Sequence, residues 1–369
     1  MKEKIKQLIR YEKIKQWYID YERVLLPATL VTGVIIDSLT FTRIHVTSAF
    51  ALLFVYTLLV GACILFVQAY DARIIRQRLI WRYVRLAMPL IIQFFFGALL
   101  SGIFIFYIFS GTIFVSWPFF LLLVLLMVGN DVFREYYLKF PVQMSVYFFI
   151  LFGLSSIVLP FVTHRIGIVP FVGAAVVSAL LFMGYVALLN WIVPTTKTYI
   201  RMLIVMSSTI ILILHGAYLI KIIPPIPLAL RSAYVAHDVA RSGGAYTITK
   251  DSEHFLEKLT PTQSIAIDPG ERVYVYTAIF APNKFSTQII HHWRQYDDQT
   301  GAWVTRDRLT FSLTGARQQG FRGFSVKSTV PYGKWRVDVE TPNGQVLGRV
   351  RFRVVEKREQ PVLETVVEE

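Results

Sequence analysis

The residues that could do chemistry fall into two groups, and the first lies inside long apolar runs. Asp37 stands in the run Val24–Phe41 and His215 in the run Met202–Ile220, each 13 residues from the start. At a helical rise of about 1.5 Å per residue, that is a depth of about 20 Å. A carboxylate or imidazole there is costly unless it is paired or wet. One reading joins Asp37 and His215 as a proton or ion site, with His45 or His164 contributed by neighbouring loops. The other has each group reach the interface or bond to an adjacent helix.

The second group lies in the C-terminal third: His291, Trp293, Arg322 and Lys327. Trp and Arg are common anchors of recognition surfaces, so these four define a candidate binding surface. The competing reading places Trp293 and Trp335 in a core and the arginine on a solvated face. His291 and His292 are neighbours in a strand-like stretch and so point to opposite faces, which prevents them from ligating one metal. The chain has no His-Glu-x-x-His, Cys-x-x-Cys or Gly-x-Ser-x-Gly spacing and no phosphate-cradling glycine loop. The expectation is therefore no catalytic residue, no cofactor and no metal, and a protein that is not an enzyme.

The elements that carry these residues follow from composition. Of 369 residues, 54% are hydrophobic and only 17% charged, too apolar for an ordinary soluble protein of this length. Six runs are long enough to cross a bilayer: Val46–Val67, Leu86–Phe109, Thr112–Asn130, Val142–Val162, Ile166–Pro194 and Met202–Ile220. Val24–Phe41 is shorter, and counting it gives seven. Met1–Arg23 reads as a basic amphipathic helix, with Leu8, Tyr11, Ile14, Tyr18 and Tyr21 on one face. It is too long for the leader of a cleaved signal peptide, so the first apolar run is expected to stay as an anchor. Pairs such as Gly97 with Ser101, Ala98 with Gly102 and Ala175 with Ala179 suit close helix packing.

The net charge of +14 is unevenly placed. Up to Ser232 there are 20 Lys and Arg against 8 Asp and Glu, and from Ala233 onward 18 against 16. The basic excess therefore belongs to the membrane half, which argues against nucleic acid as a partner. With the N-terminus inside, the inner segments hold 16 of the basic residues, whereas the outer loops hold Arg43 and Arg165, with Lys221 and Arg231 beyond the last run. This bias orients the chain N-inside, and seven spans then put the C-terminal part outside. The single cysteine, Cys63, lies in a span, so the exported part can form no internal disulfide.

Beyond a Pro-rich link (223–243) the pattern changes to alternation. Strands are expected at Arg272–Phe280, Thr287–Tyr296, Ala302–Thr314, Gly320–Val330, Lys334–Thr341 and Val346–Val355, separated by turn signals such as Pro342-Asn343-Gly344. Trp335, Val337 and Val339 alternate with Arg336, Asp338 and Glu340, while Val350, Phe352 and Val354 alternate with Arg349, Arg351 and Arg353. One core face and one wet face per strand suit an antiparallel, immunoglobulin-like sandwich over 244–356. The tail from Lys357 is expected to be a charged, flexible end.

Several of these residues resemble a family catalogued as domain of unknown function 2914. The likeness rests on His291 and Trp293, on Arg322 and Ser325 with Lys327, on Gly333, Trp335 and Val337, and on Phe352-Arg353-Val354. It covers roughly 270–355. Upstream, Leu26-Pro27, Asp37-Ser38-Leu39-Thr40, Arg43 and Ile223–Leu228 resemble the membrane portion of bacterial members. Phe324 stands where a Trp is usual and His45 where an acid is common. The resemblance implies the layout and a bacterial origin but no activity.

The resulting expectation is a multi-pass protein of a bacterial inner membrane whose exported β domain, in the periplasm, binds a protein or glycan of the envelope. A transporter or channel around Asp37 and His215 is the alternative, and an intramembrane enzyme comes third. The bilayer itself is the one partner that composition demands.

Overall fold

The computed structural model describes residues 46–110, 113–132, 139–224, 228–252, 262–280, 287–313, 321–357 and 361–368, with Tyr21, Thr32 and Ile36. The basic N-terminal segment, most of the run Val24–Phe41, Asp37 and His45 therefore lie outside the described residues.

Among the described residues from Val46 onward, six α-helices precede the strands: α1 (Val46–Asp71), α2 (Leu79–Phe109), α3 (Ile113–Val132), α4 (Phe140–Thr163), α5 (Ile168–Ile192) and α6 (Ile200–Leu219), with a 3-10 turn at Pro194–Tyr199. Among the described residues, five stretches are long and apolar enough to cross a membrane: Ser48–Asp71, Leu79–Ile108, Phe140–Thr163, Ile168–Ile192 and Pro194–Leu219, at mean hydropathies of 2.0 to 2.7. Ser116–Gly129 in α3 is a shorter apolar helix. These helices are apolar all round, the pattern of segments with no water-facing side. Pro89, Pro118 and Pro160 lie inside α2, α3 and α4.

Small residues set the helix contacts. The oxygen of Gly61 accepts a bond from the Tyr185 hydroxyl at 2.6 Å, and a Cβ at Gly61 would lie 2.9 Å from the Tyr147 hydroxyl. Tyr147 in turn donates to the Thr57 carbonyl at 3.3 Å, which ties α1, α4 and α5 together. Ala98, Ser101 and Gly102 are buried along α2, as the spacing predicts. Arg85 closes the α1–α2 connection with two 2.9 Å bonds to Asp71.

The described residues form two compact units. One holds most of the six helices. The other holds Tyr107–Trp117, Pro160–Pro170 and the chain from Ile220 onward. Within this second unit eleven strands build three sheets, ordered β1-β5-β8, β4-β10-β9-β6-β7 and β11-β3-β2. Their ranges are β1 Ala229–Ala236, β2 Asp238–Ser242, β3 Ala245–Asp251, β4 Thr262–Ile267, β5 Val273–Phe280, β6 Thr287–Asp297, β7 Ala302–Leu313, β8 Phe321–Lys327, β9 Gly333–Glu340, β10 Val346–Glu356 and β11 Leu363–Glu368.

The sheet β1-β5-β8 lies between the other two. Val273, Val275 and Ile279 of β5 share a core with Trp293, Trp335, Val337, Phe352 and Val354 of the five-stranded sheet. Tyr276 and Ala278, on the opposite face of β5, share a second core with Val239, Tyr246 and Ile248. Burial on both faces explains why β5 reads Val-Tyr-Val-Tyr-Thr-Ala-Ile-Phe with no charge. At the centre of the larger core the Trp293 ring meets Trp335 and Phe352 at 6.3 and 6.0 Å, both edge-on.

Three expectations need correction. The sheets are not wholly antiparallel, because β10 pairs parallel with β4, Arg351 opposite Thr262. The link contains β1 and β2, so strands begin at Ala229 rather than near 244. The tail also carries a strand. Leu363–Glu368 pairs antiparallel with β3, and Val366 packs on the smaller core. Lys250 pairs with Glu364 at 3.7 Å, and the Tyr234 hydroxyl donates to Glu368 at 3.2 Å. Its high charge concealed an alternation too short to stand out.

Candidate functional site

The expected intramembrane site is only partly described. His215 is half-buried in α6, its ring 5.1 Å from Phe171 and 6.0 Å from Phe152. Its Nδ1 lies 2.9 Å from the Ile211 carbonyl, so that nitrogen carries the proton and donates along its own helix. His164 is an exposed loop residue with a positive φ of 52°. A cavity of about 250 Å³ opens between α3, α4 and α6, lined by apolar side chains such as Leu122, Phe149 and Ile213. Its one polar lining residue, Ser145, bonds to the Pro141 carbonyl at 2.8 Å. This lining suits hydrocarbon and offers a polar solute nothing.

The four residues expected on a β-domain surface part company. His291 and Trp293 are fully buried, at 0% exposure, and so are interior residues rather than a recognition surface. Arg322 donates to the Gly244 carbonyl at 3.4 Å. Lys327 pairs with Asp307 of β7.

The buried pair belongs to a hydrogen-bonded chain across the larger core. Trp293 Nε1 donates to Ser325 Oγ at 3.0 Å, and Ser325 Oγ lies 2.7 Å from His291 Nδ1. His291 Nε2 lies 3.0 Å from Thr277 Oγ1, which donates onward to the Gly323 carbonyl at 3.5 Å. One assignment satisfies every donor: Ser325 donates to Nδ1, and Nε2–H donates to Thr277. The imidazole is then neutral, and burial pushes its pKa down from 6.5 to about 3. Ser325 and His291 have the spacing of a nucleophile and its base. Both are sealed inside, however, and Trp293 occupies the serine oxygen, so the chain is a strut between sheets. Gly323 is required beside it: a Cβ would sit 2.9 Å from the ring of Phe311, which packs edge-on against His291 at 4.8 Å.

The outer face of the same sheet carries charge. Asp338, 1% exposed, meets Arg349 Nε at 2.6 Å, Arg336 Nε at 3.4 Å and Arg294 Nη1 at 3.5 Å. Glu340 meets His292 Nδ1 at 3.2 Å and Arg294 Nη2 at 3.5 Å. His292 Nε2 lies 2.8 Å from Thr305 Oγ1. Burial, followed by Arg294 and Arg308, lowers the His292 pKa, with Glu340 pulling the other way. Arg336 stacks on Trp303, 4.6 Å from the ring centre. Burial also lowers the Arg336 pKa, as do Arg349, Arg294 and Arg351, while Asp338 opposes them. The alternation of β9 and β10 reveals that these residues face outward. It does not reveal that Asp338 and Glu340 are buried and paired with arginines, so this face is not simply wet. Among the described residues, no group of His, Cys, Asp and Glu could hold a metal ion.

Residues 286–354, spanning β6 to β10, match a family described as Protein of unknown function (DUF2914). The chain carries a DUF2914 domain. No curated protein and no solved structure matches the chain. Of the residues that carry the DUF2914 resemblance, His291, Trp293, Ser325, Trp335, Val337, Phe352 and Val354 are interior, whereas Arg322, Lys327 and Arg353 are not. They are also incomplete on their own, since Thr277 of the strut and the strand β5 that pairs with β8 lie outside the DUF2914 segment.

Proposed function

We propose that this chain is a non-enzymatic, multi-pass membrane protein that presents its DUF2914-bearing β region to a protein or glycan partner in the cell envelope. The reading takes seven spans with Val24–Phe41 as the first, a bacterial inner membrane, and a periplasmic β region of immunoglobulin-like sandwich type. Its orientation rests on the Lys and Arg bias between the apolar runs. One observation carries the binding role: the outer face of β4-β10-β9-β6-β7 concentrates cations around two covered carboxylates. Such a face is specified at a cost to the sheet, because like charges side by side disfavour pairing. The bundle, by comparison, offers an apolar cavity and a histidine bonded within its own helix.

The test is site-specific photo-crosslinking in intact cells. A crosslinking residue at Thr305, exposed on the charged face, should capture a defined partner, whereas one at Ala240, exposed on β2, should not. An alkaline phosphatase fused after Glu369 should be active outside the cytosol. Equal capture at both positions, or a cytosolic C-terminus, would sink the reading.

A further inference from the structure

The cations of the outer face are arrayed in rows. Register places Arg351 beside Arg336, and Arg336 beside Arg294, so three arginines line up across β10, β9 and β6. Two residues along, Arg353 stands beside Lys334, whose Nζ lies over the Tyr296 ring at 5.1 Å. On the other side of the arginine row, Arg349 stands beside Asp338, and Asp338 beside His292, which faces Arg308 of β7. Among the described residues, Asp338 and Glu340 are carboxylates set among these cations. Along β10, Arg349, Arg351 and Arg353 recur at every second residue, about 6.7 Å apart, and neighbouring strands are about 4.8 Å apart.

We infer that this face docks an acidic segment of a protein partner, held extended, with Asp or Glu at alternate positions. The inference rests on the reading that this face meets a partner and names that partner's chemistry. An extended chain sets the carboxylates of one face at the same two-residue repeat as the β10 arginines. Guanidinium forks match carboxylates two bonds at a time. Arg349 is already fixed by its 2.6 Å bond to Asp338 and Arg336 by its stack on Trp303, so docking immobilises little of these two that was free. A lipid surface draws on long, mobile, snorkelling cations. Here the side chains of Arg336 and Arg349 are only 13% and 21% exposed.

The test uses the full chain in nanodiscs of zwitterionic lipid and reads fluorescence anisotropy. The probes are a labelled peptide of alternating Glu and Thr and one of equal composition with its Glu in a block. The alternating peptide is expected to bind about tenfold more tightly, and R351Q/R353Q to weaken it by about tenfold or more. R351K/R353K, which keeps the charge and loses the fork, should fall between. Equal affinity for the two peptides, or full affinity in R351Q/R353Q, overturns the inference. So does a preference of wild type for inorganic polyphosphate or for phosphatidylglycerol vesicles over the alternating peptide. Failure of the peptide with position-specific crosslinking at Thr305 intact overturns the acidic-segment assignment alone. Failure of both removes the underlying reading as well.

Discussion

The two faces of the five-stranded sheet bury polar groups by opposite means, and adjacent residues of β6 show the contrast. His291 points inward, is neutral, and ends in a chain in which each donor has one acceptor. His292 points outward among two carboxylates and several arginines whose charges do not cancel. A satisfied neutral chain in a low-dielectric core rigidifies the fold and leaves nothing over. An ionic network in which, among the described residues, cations outnumber carboxylates presents positive charge at the sheet's outer face. The inner face therefore reads as fold and the outer face as function. The first contributes stability through packing, the second through ion pairs of covered carboxylates whose attraction is offset by their desolvation.

The comparison can be broken most directly at Trp293. Replacing this fully buried ring with Ala removes its contacts with Trp335 and Phe352 and its bond to Ser325. A loss of about 3–5 kcal/mol is expected, measured by hydrogen exchange of β6 amides in the full chain. A loss below about 1 kcal/mol would mean that the inner face is not the structural one. On the outer face, Asp338→Asn leaves Arg294, Arg336 and Arg349 without their shared counter-charge. These arginines are partly exposed, so the expected loss is about 2–3 kcal/mol, below the full cost of orphaning a buried charge. Adding R336Q should restore part of it, because the repulsion is then relieved. No recovery would show that Asp338 acts through shape rather than charge.

The smallest effect is a slope. The His291 pKa is about 3 in the folded chain against 6.5 for the ordinary group. Below pH 6.5 the unfolded chain takes up a proton that the folded chain refuses. The stability tied to His291 is therefore complete above 6.5 and falls by about 1.4 kcal/mol per pH unit towards pH 3. His291→Gln should lose that slope whatever its stability at neutral pH. Urea midpoints of wild type and variant, compared between about pH 4 and 6, check this. Parallel slopes would place water or charge beside the ring and undo the distinction between the faces.

Much of this was legible without coordinates. The expected strands from Arg272 to Val355 match β5 to β10 within a few residues, because period-two alternation and turn residues are local signals. The parallel pairing of β4 with β10 and the return of β11 onto β3 were not legible. Both join segments far apart in the chain, and neither has a local mark. The candidate surface of His291, Trp293, Arg322 and Lys327 was read from residue type; the competing reading put Trp293 in the core, where it lies, but residue type did not reveal that His291 is there too.

What the sequence determined alone is the division of the chain: apolar runs long enough to cross a bilayer, a basic bias between them, and an alternating C-terminal third. These follow from hydrophobicity and charge, which each segment carries with it. Only the tertiary structure decided which side chains meet. Thr277, Ser325, His291 and Trp293 come from three strands on two sheets. The arginine row comes from three strands whose mutual register is fixed by pairing. The alternation of each strand excludes the one-residue slip that would turn its arginines inward, but which arginines stand side by side is decided only by the pairing of the assembled sheet.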